Sequence, residues 1–267
     1  MADEPHLLSR EQDGILIVSL NRPDKLNALS GETMELFEAA LLHFRDTEEL
    51  RVMLIRGNGR YFSAGADMRG GSPKQQKRTA SGIRENHRIG LHGMHRIYDE
   101  MEHIEKPIVC AVHSVCVGGG LELALSCDFR LAAKSATFSF PEGLFGVLPA
   151  SNGVSRLTRI CGPHWARWLI MGNQKADADK AHIMGLVHDV LPDEGFDEAA
   201  LDFCRHLTKS DPEQMGAAKI AIELAAEVGP GMARHVERMA NSALMLNPAY
   251  LARIEAYVKG IGGKKTG

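Results

Sequence analysis

Three consecutive glycines, Gly118-Gly119-Gly120, stand between the apolar run Ile108 to Val112 with its extension to Val117 and the apolar segment Leu121 to Cys127. Glycine gives up more backbone freedom on folding than any other residue, so a triplet between a buried strand and a buried helix needs a reason. Either another stretch of backbone packs closely there, or a ligand approaches bare peptide groups, and the triplet alone does not choose between the two. A second turn of small residues, Ala64-Gly65-Ala66-Asp67, comes soon after the apolar run Val52 to Ile55. Strand, glycine turn and helix thus recur, and this alternation places the chain in the α/β class.

The rest of the first 200 residues extends the pattern. Gly14 to Asn21 reads as a strand stopped by Asn21-Arg22-Pro23-Asp24. Ser30 is placed to cap a helix whose apolar stripe is Met34, Phe37, Leu41 and Phe44. Residues 70–90 are polar and rich in Gly, Lys and Arg and are expected to form a mobile cover ahead of a helix from about His87 to His103. Short strands are expected at Asp128 to Ala133 and Thr137 to Phe140, with a turn at Pro141-Glu142-Gly143, and from Pro163 onward the pattern reads as almost all helix. A shift in composition near residue 200 divides a core (1–200) from a helical C-terminal region (201–267). Periodicity does not separate a doubly wound sheet from a coil of strand-strand-helix turns.

Composition removes several classes of function. Lys and Arg number 31 against 34 Asp and Glu, a formal charge of −3, and no face is densely basic, so nucleic-acid binding is not expected. No apolar stretch approaches the roughly 18 residues that span a bilayer, and no membrane association is expected. Five cysteines, Cys110, Cys116, Cys127, Cys161 and Cys204, are odd in number, lack a C-x-x-C spacing and lie in apolar runs, which points to reduced, buried thiols and a cytoplasmic location. The sequence holds no G-x-G-x-x-G, G-x-S-x-G or H-E-x-x-H, and His87, His92, His95, His103 and His113 form no evident ligand set, so no metal is expected.

Two carboxylates stand out from this background. Glu122 follows the glycine triplet after Leu121, inside an apolar helical run, and Glu142 lies between Phe140-Pro141 and Gly143-Leu144-Phe145-Gly146. A charge among apolar neighbours is costly unless partnered, and each alone is explained by a structural hydrogen bond. If the fold brings both to the glycine turns, the result is an oxyanion site flanked by two acid/base groups.

These stretches carry a resemblance. Leu20-Asn21-Arg22-Pro23-Asp24-Lys25-Leu26-Asn27-Ala28-Leu29, Phe62-Ser63-Ala64-Gly65-Ala66-Asp67, Lys106-Pro107 through Gly118-Gly119-Gly120-Leu121-Glu122, Phe140 to Gly146, and Ala178 to Val187 together resemble the crotonase (enoyl-CoA hydratase/isomerase) superfamily. The resemblance implies a spiral of strand-strand-helix turns with a helical C-terminal trimerisation region, and a homotrimer or hexamer. It implies an acyl-CoA thioester as substrate, with coenzyme A part of that substrate and no separate cofactor. The thioester oxygen would be held by the amides of Ala66 and Gly119. Lys25, Leu26, Ala28, Ala64, Asp67, Met68, Arg69, Gly118 and Ala150 would line the CoA and acyl site. Hydratases of the superfamily resemble one another in carrying glutamates at both positions, so the implied activity is enoyl-CoA hydration, with Glu122 deprotonating water and Glu142 handling the α-carbon proton. An isomerase, a thioester hydrolase and a non-catalytic acyl-CoA binder are the alternatives. The chain departs from the family pattern at Pro149-Ala150-Ser151-Asn152-Gly153, where a glycine-rich turn is usual, and in the C-terminal helix around Ala256-Tyr257. Trp165, Trp168, Met232 and Met239 are expected in a core or a subunit contact.

Overall fold

The computed structural model describes residues 4–68, 79–85 and 92–262, and divides the chain between Lys209 and Ser210 into two compact units. In the first, strands β1 (Leu7–Gln12), β2 (Ile15–Leu20), β3 (Val52–Gly57), β4 (Ile108–Val112), β5 (Val115–Val117), β6 (Phe129–Ala133), β7 (Thr137–Ser139), β8 (Ala176–Asp177) and β9 (Asp189–Leu191) form two sheets. The larger has the order β1-β2-β3-β4-β6-β9 and the smaller β5-β7-β8. β2 through β9 of the larger sheet pair in parallel, with registers such as Ile17 opposite Leu54 and Cys110 opposite Arg130. β2 and β4 are buried along their whole length, as strands covered on both faces must be.

The connections decide between the two architectures that periodicity leaves open. β4 lies in the large sheet, β5 in the small one, and helix follows; β6 returns to the large sheet and β7 to the small one. In these two successive turns one strand goes to each sheet, and after β3 the chain reaches the small sheet through the single Ser63–Cys116 bridge, which is the spiral and not a doubly wound sheet. The helices of this unit are α1 (Gly31–Asp46), α2 (Ala80–Glu85), α3 (His92–His103), α4 (Gly119–Leu125), α5 (Gly153–Ala166), α6 (Ala178–Ile183) and α7 (Phe196–Leu207). Ser30 caps α1 by accepting the Thr33 amide at 3.1 Å, and Phe37, Leu41 and Phe44 are buried while Met34 is partly so.

Several elements differ from the sequence expectation. β1 pairs with β2 through a turn in which Asp13 and Gly14 both have positive φ, the backbone of a tight two-residue hairpin. Only Leu7 of β1 is buried, so this edge strand lacks the apolar run that identifies the others. β8 and β9 lie in the stretch read as all helix, being two and three residues long. Pro141–Phe145 is a short 3₁₀ segment, not a plain turn. The expected cover at 70–90 and the start of its helix at His87 lie outside the described residues except for α2. All five cysteines are buried free thiols.

The second unit comprises α8 (Pro212–Glu227), α9 (Pro230–Leu244) and α10 (Tyr250–Gly262). Asp211 caps α8 by accepting the Gln214 amide and pairs with Arg253 of α10 at 2.8 Å. Met232 and Met239 are exposed, as is Trp168 in the first unit in part, whereas Trp165 packs on the core. Among the described residues no helix is long and apolar enough to cross a membrane.

Candidate active site

Two backbone turns meet at the start of α4. The chain leaves β3, and Ser63 bridges to Cys116 of β5, its amide donating to Val115 O and its carbonyl accepting from the Val117 amide. This sets Gly65 against Gly118-Gly119. A Cβ on Gly119 would lie 3.2 Å from the Ala66 nitrogen, and one on Gly65 would lie 3.3 Å from the Gly119 nitrogen and 2.9 Å from Val117 O. Gly65 and Gly118 have φ of +89° and +52°, so both close approach and left-handed backbone require glycine here. Gly120 is held by a third contact, since a Cβ there would meet the Ser63 side chain at 2.6 Å. Sequence reasoning left two explanations for the triplet, and close backbone packing is the one present in the contacts.

The same packing leaves two donors. Among the described residues, no hydrogen bond uses the Ala66 or the Gly119 amide. Gly119 opens α4, where the first amides have no partner within the helix and carry its partial positive charge. Ala66 is fixed on both sides, the Leu29 amide donating to Gly65 O at 2.8 Å and the Asp67 amide to Leu29 O at 3.0 Å.

The two acids flank this pair. Glu122, one turn into α4, is buried, and its Oε1 accepts the Ser151 amide at 2.8 Å. Burial, helped by the nearby Glu142, raises its carboxyl to about 7 against the opposing pull of the Ser151 and Gly153 amides and of Arg156. Glu142, on the 3₁₀ segment, places Oε1 only 2.8 Å from where a Cβ on Gly118 would stand. Its Oε2 is buried with no hydrogen-bond partner, and burial raises this carboxyl too. Neither acid is salt-bridged among the described residues. Two carboxyls that both resist ionisation beside two unused amides can move protons near an oxygen that becomes negative.

The other sequence-predicted residues spread around this centre. Lys25 ends a 3₁₀ turn and is exposed, Leu26 adopts φ +54°, and its carbonyl accepts the Ala64 amide at 2.9 Å, which joins this turn to the Ala64–Asp67 turn. The Ala28 carbonyl accepts from Arg22, whose guanidinium also pairs with Asp67 at 2.8 Å with both side chains mostly buried. Asp67 is thus committed to Arg22 as an internal anchor. Met68 is strongly exposed, Ala150 is exposed next to Ser151, and Arg69 lies outside the described residues. Among the described residues no group of three or more His, Cys, Asp or Glu side chains is placed to hold a metal ion.

Three residues were not singled out by sequence. Asn27, at φ +53°, accepts the Arg22 amide and donates to the carbonyls of Asn58 and Tyr61, lashing three loops together. Its signal was present in the Leu20–Leu29 stretch, as a polar side chain inside a turn. Tyr98 and Arg156 are buried beside Glu122, and the Tyr98 hydroxyl donates to Gly119 O at 3.4 Å. Nothing in their local sequence marks them.

Residues 10–247 match the family described as enoyl-CoA hydratase/isomerase. The carnitinyl-CoA dehydratases of Salmonella typhi and Citrobacter koseri are each 34% identical over 206 residues, covering 77% of this chain and 75% of theirs. Among solved structures, the "enoyl-CoA hydrates subunit I" of Geobacillus kaustophilus HTA426 superposes with a TM-score of 0.85 at 29% identity, covering 96% of this chain and 95% of that one. The enoyl-CoA hydratase of Bacillus anthracis gives 0.85 at 25% identity with 96% of each chain covered.

Proposed function

The chain belongs to the enoyl-CoA hydratase/isomerase family and is an enzyme of the hydro-lyase class, and from that premise we propose that it adds water across the 2,3 double bond of a 2-enoyl-CoA thioester. The observation that carries this reading is the juxtaposition of two hard-to-ionise glutamates, Glu122 buried and Glu142 half-buried, with two amides that no hydrogen bond uses among the described residues. An isomerase needs one proton carrier, whereas adding water needs one group to take a proton from the water and another to deliver one to carbon.

In this mechanism the thioester oxygen accepts from the Ala66 and Gly119 amides, and negative charge grows on it as water attacks the β-carbon. Removing one such donor costs on the order of 3 kcal/mol of transition-state stabilisation. Glu122, oriented by the Ser151 amide, takes the proton of the attacking water, and Glu142 delivers a proton to the α-carbon. The productive state of the pair carries one proton between the two carboxyls, so the observed titrations belong to the pair. Lys25, Leu26, Ala28, Ala64, Met68, Arg69, Gly118 and Ala150 line the path of the CoA and acyl portions in this proposal. Asp67 contributes through its pairing with Arg22.

Because the reaction is reversible, loss of water from a 3-hydroxyacyl-CoA uses the same groups. The relatives named as carnitinyl-CoA dehydratases favour including carnitinyl-CoA among the substrates tested. The exposed apolar side chains Leu144, Phe145, Val147 and Leu148 of the first unit, and Met239, Leu246 and Leu251 of the second, support assembly into a homotrimer or hexamer. The five reduced thiols suit a cytoplasmic location.

The test is turnover of a panel of short, long and polar enoyl-CoA thioesters, followed by loss of the conjugated enoyl absorbance, with analytical ultracentrifugation of the same sample. Hydration abolished by Glu122→Gln and by Glu142→Gln is the expected result. Tight acyl-CoA binding with no turnover on any thioester would leave a binder, and double-bond migration surviving loss of one glutamate would leave an isomerase.

A further inference from the structure

We infer that Asn152 and Asp99 are positioning residues for Glu122, an inference that rests on the assignment of Glu122 to the reaction. Glu122 Oε1 accepts the Ser151 amide at 2.8 Å, and Gly153, on the other side of Asn152, is packed against the same oxygen, 2.9 Å from where its Cβ would stand. Both can turn toward one carboxylate because Asn152 adopts φ +68° and ψ +9° at the start of α5. Such backbone is costly for most residues other than glycine and is adopted chiefly by asparagine and aspartate among the rest, and it persists where surrounding contacts hold it.

Those contacts come from α3. The Asn152 side-chain amide donates to Asp99 Oδ1 at 3.0 Å, and the same oxygen accepts Arg156 Nη2 at 3.2 Å. Arg156 in turn donates to Glu102 and to the Tyr98 carbonyl, and its own amide donates to Asn152 O at 3.0 Å. The turn is therefore clasped from its side chain by α3 and from its carbonyl by α5. Gly153 cannot relax independently, since a Cβ there would meet Glu122 Oε1 at 2.9 Å and Pro149 at 2.7 Å. A glycine at 152 would adopt this backbone freely; asparagine adopts it and also ties the turn to Asp99. The charged and titratable groups that face Glu122 are Glu142 from the 3₁₀ segment, Arg156 from α5 and Tyr98 from α3.

Asn152→Asp keeps the size and the turn preference but removes the donor and sets two carboxylates against each other. We expect kcat to fall on the order of tenfold with KM unchanged. The acid limb of the pH profile should move upward, as Glu122 loses its amides. Asn152→Gly, which removes the tether without adding charge or strain, should give a smaller fall in the same direction. The reciprocal pair Asp99→Asn with Asn152→Asp restores one donor and one acceptor and should recover kcat and the pH limb. A purely structural role would change melting temperature in these variants and leave the pH limb in place.

The Glu122 titration, read as an infrared carboxyl difference against Glu122→Gln, gives an arm that needs no substrate. A wild-type protein with no hydratase turnover would sink the functional reading alone and leave this arm to decide. Wild-type kcat and an unmoved Glu122 midpoint in both Asn152→Asp and Asn152→Gly would overturn the inference. So would a folded swap variant that recovers nothing.

Discussion

The two sides of the candidate site are built from different materials. On the amide side, Gly65, Gly118, Gly119 and Gly120 bring backbone against backbone, and nearly every position where a Cβ might be added is already occupied. On the acid side, side chains carry the chemistry, and their properties come from burial and from the end of a helix. Sterics fix the first and electrostatics the second. Substitutions on the amide side should therefore damage folding and activity together, whereas substitutions on the acid side should separate them.

The largest effect belongs to the acids. Glu122→Gln and Glu142→Gln should each lower kcat on the order of a thousandfold, within the range of general acid/base groups, with KM little changed. If the two act as one unit, the double variant should be scarcely worse than either single one. A double variant whose losses multiply would mean that the acids serve separate steps, and would break the picture of a shared proton.

Next in size is Gly65→Ala. The added Cβ would stand 2.9 Å from Val117 O at a φ of +89°, so the turn must shift and carry the Ala66 amide with it. We expect kcat to fall on the order of a hundredfold and stability to drop about 2 kcal/mol, measured by steady-state kinetics and urea unfolding. A fall in activity with no loss of stability would show the amide side to be less tightly packed than this comparison requires.

The acid side should show the opposite sign in stability. A carboxyl raised from 4.5 to about 7 binds its proton more tightly folded than unfolded. Between those pH values the folded state holds more protons, so stability declines as pH rises through the window, and Glu122 costs the fold up to about 3 kcal/mol above it. Glu122→Gln should therefore unfold at higher urea than wild type at pH 8, with the gap closing toward pH 4. Equal stability across that range would mean that Glu122 is not held in the folded state as its burial implies.

How much of this was legible in the sequence follows the same division. The amide side is readable because glycines at strand ends have few explanations, and the two acids themselves are readable because Glu122 and Glu142 are conspicuous among apolar neighbours. The spiral was not readable from periodicity, since β5, β7 and β8 are two or three residues long and reveal nothing until paired. β1 was missed because an exposed edge strand need not alternate. The clasp behind Glu122 is invisible for another reason: Asn152 stands out only as part of the departure at Pro149 to Gly153, and its partner Asp99 lies 53 residues away with nothing local to mark it. The resemblance implies a substrate contact at Asp67, and its carboxylate is engaged by Arg22, 45 residues away, a pairing that local sequence does not display.

That last pair gives the smallest effect and the finest test of the comparison, because it is a charged anchor placed on the steric side. Arg22 Nη1 lies 2.8 Å from Asp67 Oδ2 and 2.8 Å from Ala28 O, so one guanidinium holds the residue that follows the Ala66 amide and the loop it bridges. Asp67→Asn keeps an acceptor for Arg22 while removing the charge, and should cost about 1 kcal/mol of stability and severalfold in kcat. Arg22→Met removes the guanidinium that the Asp67 carboxylate and the Ala28 carbonyl share, and should cost about 2 kcal/mol. If the amide side is set by shape, kcat in both variants should track stability, since the glycines still fix the amides once the turn is folded. A variant that stays folded to wild-type urea concentrations yet loses activity would show that charge, too, aims the Ala66 amide, and the division between the two sides would fail there.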